Sequence, residues 1–208
     1  MIASAISPVL AGLGVGVALA GAPGPVQAVL LGEAIRGGVA RGFRAMAGAN
    51  LTTGLLLMAL ALGLTVAPPS GLVLRSLQVC GGALLLWIAV DAVRAGNRVG
   101  PAAADGRGLP PIVRGALAVV LNPGAWLFFG AVASPLLGGA TRRGGMGGAV
   151  LTAVALTAGL AVGDGAVVVL GGVGVRRAGE RVERWVRRVL AALLGFVGLW
   201  LLVRGSIT

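Results

Sequence analysis

The apolar residues of this chain are grouped in six long stretches that are separated by short polar connections. Each stretch holds close to the about 20 apolar residues that an α-helix needs to cross a bilayer. The longest connection, from Gly96 to Pro111, is polar and contains several glycines and prolines, which indicates a loop. The pattern predicts an all-α integral membrane protein with a single domain over residues 1–208. Its six predicted transmembrane helices cover residues 7–32, 45–66, 72–93, 113–137, 147–174 and 187–204.

Composition excludes a soluble globular domain. The chain is 57% hydrophobic and 11% charged, with a mean hydropathy of +0.99, whereas soluble domains average about 25% charged residues. All 17 basic residues are arginine and the net charge is +11, a balance that in a soluble protein indicates nucleic-acid binding. These arginines lie in short connections and not on one folded face. We therefore expect no nucleic-acid partner and an attraction to anionic membrane lipid.

The arginines are divided unequally between alternate connections, which predicts the orientation of the chain. The larger set has 13 members: Arg36, Arg41, Arg44, Arg94, Arg98, Arg107, Arg114, Arg176, Arg177, Arg181, Arg184, Arg187 and Arg188. The smaller set has four members: Arg75, Arg142, Arg143 and Arg204. Because arginine-rich connections stay in the cytoplasm, we predict a multi-pass protein of the bacterial plasma membrane with both termini outside the cytoplasm.

The first stretch has a second interpretation as a signal peptide, because Ala18-Leu19-Ala20 resembles a cleavage site. The first 22 residues contain no Arg or Lys, so the charged region of a signal peptide is missing. The apolar stretch also continues past Pro25 to Leu31. We therefore interpret it as an uncleaved first span.

Two of the stretches are interrupted by proline, at Pro23-Gly24-Pro25 and at Asn122-Pro123-Gly124. Proline removes a backbone N–H and clashes with the preceding turn, so each helix should kink or unwind there. In lipid, the carbonyls that lose their partner must bind a neighbouring helix, a side chain or water. One such break in each half of the chain is typical of a transporter binding site. The two halves, with three helices each, would form inverted repeats, although Pro23 and Pro123 lie at unequal depths in their spans.

Asp164 is the most distinctive charged residue, because it lies near the middle of the fifth stretch between Gly163 and Gly165. A charged side chain at this depth costs about 3 kcal/mol or more, so it should face the interior of the bundle or water. Desolvation disfavours the ionised form, which suits a carboxyl group that binds and releases a proton during transport. The structural alternative is a protonated Asp164 that makes one hydrogen bond between helices.

Polar residues near the breaks are further candidates for contact with a substrate. Gln27 lies one turn after Pro23, where its amide either satisfies freed carbonyls or binds substrate. Asn50 is placed to line the same cavity with Thr52 and Thr53, although threonine hydroxyls often bond back to their own helix. The predicted substrate-binding set is Pro23, Gly24, Pro25, Gln27, Asn50, Asn122, Pro123 and Trp126.

Asn122 precedes a proline, where the helical conformation is disfavoured. Its side chain can cap the helix that restarts there, and the new N-terminus would favour an anionic group such as a carboxylate. Trp126, Phe128 and Phe129 follow, and their aromatic rings serve either packing or substrate contact.

The remaining acidic residues have structural interpretations. Glu33 follows the first span with Arg36 and Arg41 nearby, which indicates an interfacial ion pair. Asp91 and Arg94 lie at the end of the third span, where they either pair with each other or bind a loop; a role in gating is the alternative.

Several site classes are excluded by the residues that the chain lacks. There is no histidine, and Cys80 is the single cysteine, so His/Cys metal sites, Ser–His and Cys–His catalytic pairs and disulfides are excluded. No glycine run carries the lysine of a phosphate-binding loop. We predict no cofactor, no metal and no enzymatic activity. Glycine pairs such as Gly12 and Gly16 leave a homo-oligomer open.

Two blocks of residues resemble the LysE/RhtB-type family of amino-acid exporters. The first comprises Pro23-Gly24-Pro25, Gly38, Gly42, Gly48 and Gly63-Leu64. The second is Leu121-Asn122-Pro123-Gly124-Ala125-Trp126-Leu127-Phe128-Phe129. A weaker similarity runs from Gly81-Gly82-Ala83 to Trp87 in the third span. The resemblance covers nearly the whole chain and implies efflux of amino acids or related small metabolites, driven by the proton gradient or the membrane potential.

The chain departs from the family pattern at three places close to the predicted site. Thr52-Thr53 stands where many members have Gly-Asp, Val26 where many have Asn, and Gly124 where a basic residue is often found. These differences concern the substrate and not the fold. A passive channel or an inorganic-ion exporter with the same fold is the second hypothesis. A membrane-embedded enzyme or a thiol relay through Cys80 is the third.

Overall fold

The structure is a computed structural model that describes residues 2–22, 24–64, 70–96 and 109–207. These ranges contain helices and no strand. The helices are α1 (Ile2–Gly21), α2 (Pro25–Gly37), α3 (Val39–Ala61), α4 (Gly71–Gly96), α5 (Pro111–Val120), α6 (Pro123–Phe128), α7 (Ser134–Ala166), α8 (Gly172–Arg177) and α9 (Glu180–Ile207). Two π-helical segments, Phe129–Ala133 and Val167–Gly171, join α6 to α7 and α7 to α8.

The predicted all-α membrane class is confirmed, whereas the predicted count of six spans is not confirmed. Within the described residues, four helical segments are long and apolar enough to cross a membrane: Val39–Ala61, Gly71–Arg94, Pro123–Arg177 and Glu180–Ser206. A fifth arises if Ser7–Gly21 and Pro25–Gly37, which meet at 65°, form one span. The predicted helix over 113–137 is divided, because Pro111–Val120 ends before Pro123 begins a new helix.

A glycine pair divides the 55-residue segment Pro123–Arg177. Gly144 and Gly145 have non-helical backbone angles, and Gly145 has φ 62°, a left-handed conformation that glycine adopts without steric cost. The connection between the two helices is therefore shorter than the predicted one between 137 and 147. The helix continues through Gly138 and Gly139 and breaks only at this pair.

Both predicted proline breaks are present. α1 ends at Gly21 and α2 begins at Pro25, while Pro23 lies outside the described residues. α5 ends at Val120 and α6 begins at Pro123. Proline has no N–H to donate and suits the first turn of a helix, which explains why α2, α5 and α6 each begin with it.

Small residues bring the long helices into backbone contact. On α1, Gly12 lies against Thr152 of α7, Gly16 against Leu156, and Ala20 against Gly163. The two helices therefore run in the same direction along their length.

The other close pairs position the centre of the molecule. On α3, Gly48 lies against the Ile112 backbone of α5. In return, Gly115 of α5 lies against the Ala45 backbone, so α3 and α5 touch at both glycines. α4 packs antiparallel on α9, with Gly82 against Gly198 and Gln78 beside Gly205.

The helices extend beyond the predicted limits where charged residues continue an amphipathic face. α9 begins at Glu180, seven residues before the predicted span, and its first turns carry the Glu183–Arg187 pair four residues apart. Gly179, with φ 92°, separates α9 from α8. A hydropathy pattern alone does not detect such a charged extension.

Candidate substrate site

The two broken helices meet at a cavity of about 210 Å³, called here the central cavity. Its described lining comes from the end of α1, the start of α2, the middle of α3, the α5–α6 break and α7. The lining residues are Leu19, Ala22, Gly24, Pro25, Val26, Gln27, Ala49, Asn50, Thr53, Val119, Asn122, Gly124, Ala125, Phe128, Phe129, Leu160 and Asp164. A cavity at the junction of two discontinuous helices is where transporters of several folds bind substrate.

Asp164 is the acidic residue of this lining, and its side chain is 1% exposed. Its Oδ1 atom makes no hydrogen bond within the described part of the chain. The side-chain amides of Asn50 and Gln27 lie beside the carboxyl group. The described lining contains no arginine, so no fixed cation neutralises Asp164 from within the cavity.

Asn50 has a hydrogen-bond donor that complements the unpaired acceptor of Asp164. Its Nδ2 atom is buried and, among the described residues, has no acceptor. An unsatisfied buried donor and an unsatisfied buried acceptor each cost free energy unless a ligand or water pairs with them. Because the two groups lie side by side at a cavity wall, they can bind each other, water or a ligand that both donates and accepts hydrogen bonds.

Most of the predicted substrate-binding residues border this cavity. Gly24, Pro25, Gln27, Asn50 and Asn122 line it together with the predicted proton-coupling Asp164. Pro123 and Trp126 are not among its lining residues. Pro23 falls outside the described residues, so its prediction stays a prediction.

The side chains of Asn122 and Trp126 form hydrogen bonds with backbone groups that the second helix break leaves without partners. The Asn122 Oδ1 atom accepts a hydrogen bond of 3.0 Å from the Gly124 N–H, which confirms the predicted cap. The Trp126 indole N–H donates to the Val120 carbonyl at 2.7 Å. That carbonyl lies near the end of α5, where the break removes the usual helical donor. The indole N–H therefore replaces the missing backbone donor, which explains why a tryptophan lies one turn after the proline.

The two threonines of α3 differ. The Thr52 hydroxyl donates back to the Gly48 carbonyl at 2.8 Å, the bond that threonine often makes within a helix. Thr53 is buried and lines the cavity beside Asn50.

Apolar side chains form the rest of the described lining. Leu19, Val26, Phe128, Phe129 and Leu160 surround the polar group of Asp164, Asn50 and Gln27. Phe129 begins one π-helical segment, and the other begins three residues after Asp164. Such π-helical turns are frequent at functional sites.

A second group of charged residues lies beside the central cavity, toward the end of α2. This group, called here the ion-pair cluster, consists of Glu33, Arg36, Arg41, Asp91 and Arg114. Arg114 donates to Glu33 at 3.0 Å and to Asp91 at 2.6 Å. Arg36 binds Asp91 at 2.5 Å, and Arg41 binds Glu33 at 2.5 Å.

The cluster corrects one expectation about these charges and extends another. Asp91 pairs with Arg36 and Arg114, and the pairing with Arg94 is not found in the described chain. Glu33 pairs with Arg41 as expected, but its second partner is Arg114.

Arg114 does not lie in a connection, where the arginine count places it. Arg114 lies inside α5 and is 1% exposed. Its guanidinium also stacks on Trp87, 4.9 Å from the ring centroid. The sequence position of Arg114 indicates a place inside a helix, because it follows the helix start at Pro110-Pro111 and precedes an apolar run.

The described residues contain no group of three or more His, Cys, Asp or Glu side chains that could hold a metal ion. The chemistry of the cavity is therefore that of one buried carboxyl group, several amides and an apolar wall.

Comparison with known proteins places this arrangement in a family. The family model described as LysE type translocator matches residues 17–205 of the chain. A comparison with curated proteins and one with solved structures each found no match. The matched range includes both helix breaks, Asn50, Asp164 and the whole ion-pair cluster. The chain belongs to the LysE type translocator family.

Proposed function

We propose that this membrane translocator is a secondary active exporter of amino acids or closely related small metabolites, coupled to protons through Asp164. One observation carries the proposal: Asp164 Oδ1 and Asn50 Nδ2 are both buried at the wall of the central cavity, and neither has a hydrogen-bond partner among the residues that the structure describes. An unused acceptor and an unused donor at one place are complementary to the ammonium and carboxylate groups of an amino-acid zwitterion.

In this proposal the substrate ammonium donates to Asp164 Oδ1, and Asn50 Nδ2 donates to the substrate carboxylate. Gln27, which lies beside Asp164, adds a second amide to the polar end of the site. Hydrogen bonds that involve a charged partner are worth about 1.5–3 kcal/mol each, enough to orient a small ligand. The substrate side chain then faces Leu160, Phe128 and the other apolar residues of the lining.

Coupling follows from the isolation of Asp164. An ionised carboxylate in an apolar cavity is costly unless a positive group accompanies it. Either a proton on the carboxyl group or the substrate ammonium supplies that compensation, and the two exclude each other at one oxygen pair. A site that is compensated by a proton on one side of the membrane and by substrate on the other exchanges them in opposite directions. Proton entry would then drive export.

For the topology we propose six passes with both termini outside the cytoplasm, in a bacterial plasma membrane. The short arms of the two broken helices, α2 and α5, support this, because Glu33 of one pairs with Arg114 of the other. Five arginines converge at this end: Arg36, Arg41 and Arg114 in the ion-pair cluster, and Arg176 and Arg187 at the Ile35 carbonyl. Arg75 instead meets the Gly205 carbonyl at the end of α9.

An inverted repeat of α1–α4 and α5–α9 is part of the proposal. In such a repeat α1 corresponds to α5, and α3 corresponds to α7. The contact of α1 with α7 is then equivalent to the contact of α5 with α3, and glycines form both contacts. The same symmetry would exchange α4 and α9, so that this helix pair is its own equivalent. Inverted repeats make two such helices antiparallel, which is how α4 and α9 pack.

Efflux from intact cells tests the function. Cells that express the protein and empty-vector cells are preloaded with dipeptides, and amino acids released to the medium are measured with and without a protonophore. Protonophore-sensitive release above the vector control supports a secondary exporter. Release that follows the concentration gradient and ignores the protonophore would favour the passive channel. Release of no amino acid at all would contradict the proposal and favour an inorganic-ion exporter or another metabolite.

A further inference from the structure

We propose that Arg114 and the ion-pair cluster around it close the substrate pathway on the arginine-rich side of the central cavity, so that its ion pairs must separate before substrate enters. This inference rests on the proposed function for the direction of transport. The barrier itself is defined by geometry and does not depend on which substrate is carried.

The cluster lies between the cavity and the arginine-rich end of the helices. On α2, Glu33 follows the cavity residue Gln27 by six positions, about 9 Å along a helix. On α5, Arg114 precedes the cavity residue Val119 by five positions, about 7.5 Å. On α3, Arg41 precedes Ala49 by eight positions, about 12 Å. Along each of these three helices, a path from the cavity to this end passes the cluster.

The cluster also ties together four separate helices. Glu33 and Arg36 belong to α2, Arg41 to α3, Asp91 to α4 and Arg114 to α5. All four ion pairs join different helices, and the Arg114–Glu33 pair joins positions 81 residues apart. Any movement that parts α5 from α2 or α4 must therefore break an ion pair of Arg114.

Arg114 is saturated in this arrangement. Its Nη1 and Nη2 atoms bind Glu33 and Asp91, and its Nε atom donates to the Leu109 carbonyl at 3.0 Å. The face of the guanidinium lies on Trp87. Burying ions costs desolvation energy, and apolar replacements of a buried ion pair are often equally stable or more stable. The main effect of such a charge cluster is therefore to select one closed arrangement of the helices. Its contribution to the free energy of folding is small.

The neighbouring groups allow the cluster to exchange partners. A small cavity of about 40 Å³ lies against Glu33, Arg36 and Arg114 and reaches Arg187 of α9. The Nε atoms of Arg36 and Arg187 are buried and, among the described residues, have no acceptor. When an ion pair separates, a carboxylate of the cluster or of an entering substrate can bind these spare donors.

Thiol labelling tests the barrier, because Cys80 is the single cysteine of the chain. In a Cys80→Ala background, Thr53→Cys places one thiol in the central cavity. A membrane-impermeant thiol reagent is then applied from either face of oriented vesicles, in the parent and in Glu33→Gln and Asp91→Asn variants. The matched control is Glu180→Gln, which removes an exposed carboxylate at the start of α9, outside the cluster.

We expect labelling from the arginine-rich face to be about tenfold faster in both cluster variants, which corresponds to about 1.4 kcal/mol less stabilisation of the closed state. Labelling from the opposite face and in Glu180→Gln should not change. A rise from both faces would mean general loosening and would overturn the proposal. An unchanged rate in a folded Asp91→Asn protein, whose carboxylate is partly exposed and so the milder change, would overturn it as well. Because labelling needs no substrate, a failed efflux assay would contradict the proposed function alone.

Discussion

Asn50 on α3 lies beside Asp164 on α7, and each presents one buried polar atom that no hydrogen bond satisfies in the described structure. The two helices approach closely here because Gly54 of α3 lies against Thr157 of α7. Native proteins pair nearly all their buried polar groups. Two such groups that face one cavity can pair with each other or with a bound ligand, and the proposed function takes the second case.

Replacing Asp164 by Asn should abolish proton-coupled export without loss of stability. The amide keeps the shape but cannot be ionised, so neither a proton nor an ammonium is exchanged at this position. Removal of a carboxyl group that is buried without a cation should leave the thermal unfolding temperature in detergent equal or higher. Efflux and unfolding of the purified protein are measured together, with Glu180→Gln on the surface of α9 as the control. Export at the parental rate by Asp164→Asn would remove Asp164 from the mechanism.

Replacing Asn50 by Leu should weaken substrate binding, again with little effect on folding. The lost donor is expected to cost about 1.5–3 kcal/mol of binding if it meets a carboxylate, which is about a tenfold to hundredfold rise in KM. The control is Thr52→Val on the same helix, whose hydroxyl bonds only to the Gly48 carbonyl. An equal KM for Asn50→Leu and the parent would show that Asn50 does not bind substrate.

The sequence predicts the parts of this site that depend on local chemistry. Asp164 is conspicuous because a charge within an apolar stretch is costly, and the breaks are conspicuous because proline cannot continue a helix. The cap by Asn122 is equally local, since donor and acceptor are two residues apart.

The parts that depend on long-range packing are not visible in the sequence. Arg114 meets Glu33 across 81 positions and Asp91 across 23, so no spacing rule connects them. Along the sequence the breaks lie at unequal depth, after the 20 residues of α1 and after the 10 of α5. Because Glu33 of α2 pairs with Arg114 of α5, the short arms lie side by side and both breaks reach one cavity. Only the packing of the helices reveals this.

Asn122 offers a test that separates capping from substrate contact. Asn122→Ala removes the acceptor of the Gly124 N–H and should lower the free energy of unfolding by about 1 kcal/mol. Asn122→Asp keeps an acceptor at the same position and should retain the stability. Equal destabilisation by Ala and Asp would argue against the cap, whereas loss of transport by Asp at full stability would place Asn122 among the groups that contact substrate.

The glycines between α3 and α5 should tolerate no side chain. A Cβ atom at Gly48 would overlap the Ile112 carbonyl, and one at Gly115 would overlap the Ala45 carbonyl. We expect Gly48→Ala and Gly115→Ala to lower the thermal unfolding temperature through overpacking that costs about 1–3 kcal/mol. The control is Gly14→Ala on α1, where no atom lies within 4 Å of the added Cβ and the higher helix propensity of alanine applies. Destabilisation of Gly14→Ala by the same amount would show that the effect is not specific to the α3–α5 contact.

The composition of the central cavity predicts which amino acids compete for it. Asp164 is the acidic group of the described lining and is occupied by the α-ammonium group, so a lysine or arginine side chain would bring a second cation against Leu160, Phe128 and Phe129. A buried ammonium without a partner is strongly unfavourable. We therefore expect leucine or methionine to inhibit uptake of a labelled substrate into inside-out vesicles at least about tenfold more effectively than lysine, a difference of about 1.4 kcal/mol. Equal inhibition by lysine would require an additional acceptor in the pathway. In that case Glu33 of the ion-pair cluster, the nearest carboxylate along α2, would be the residue to replace next.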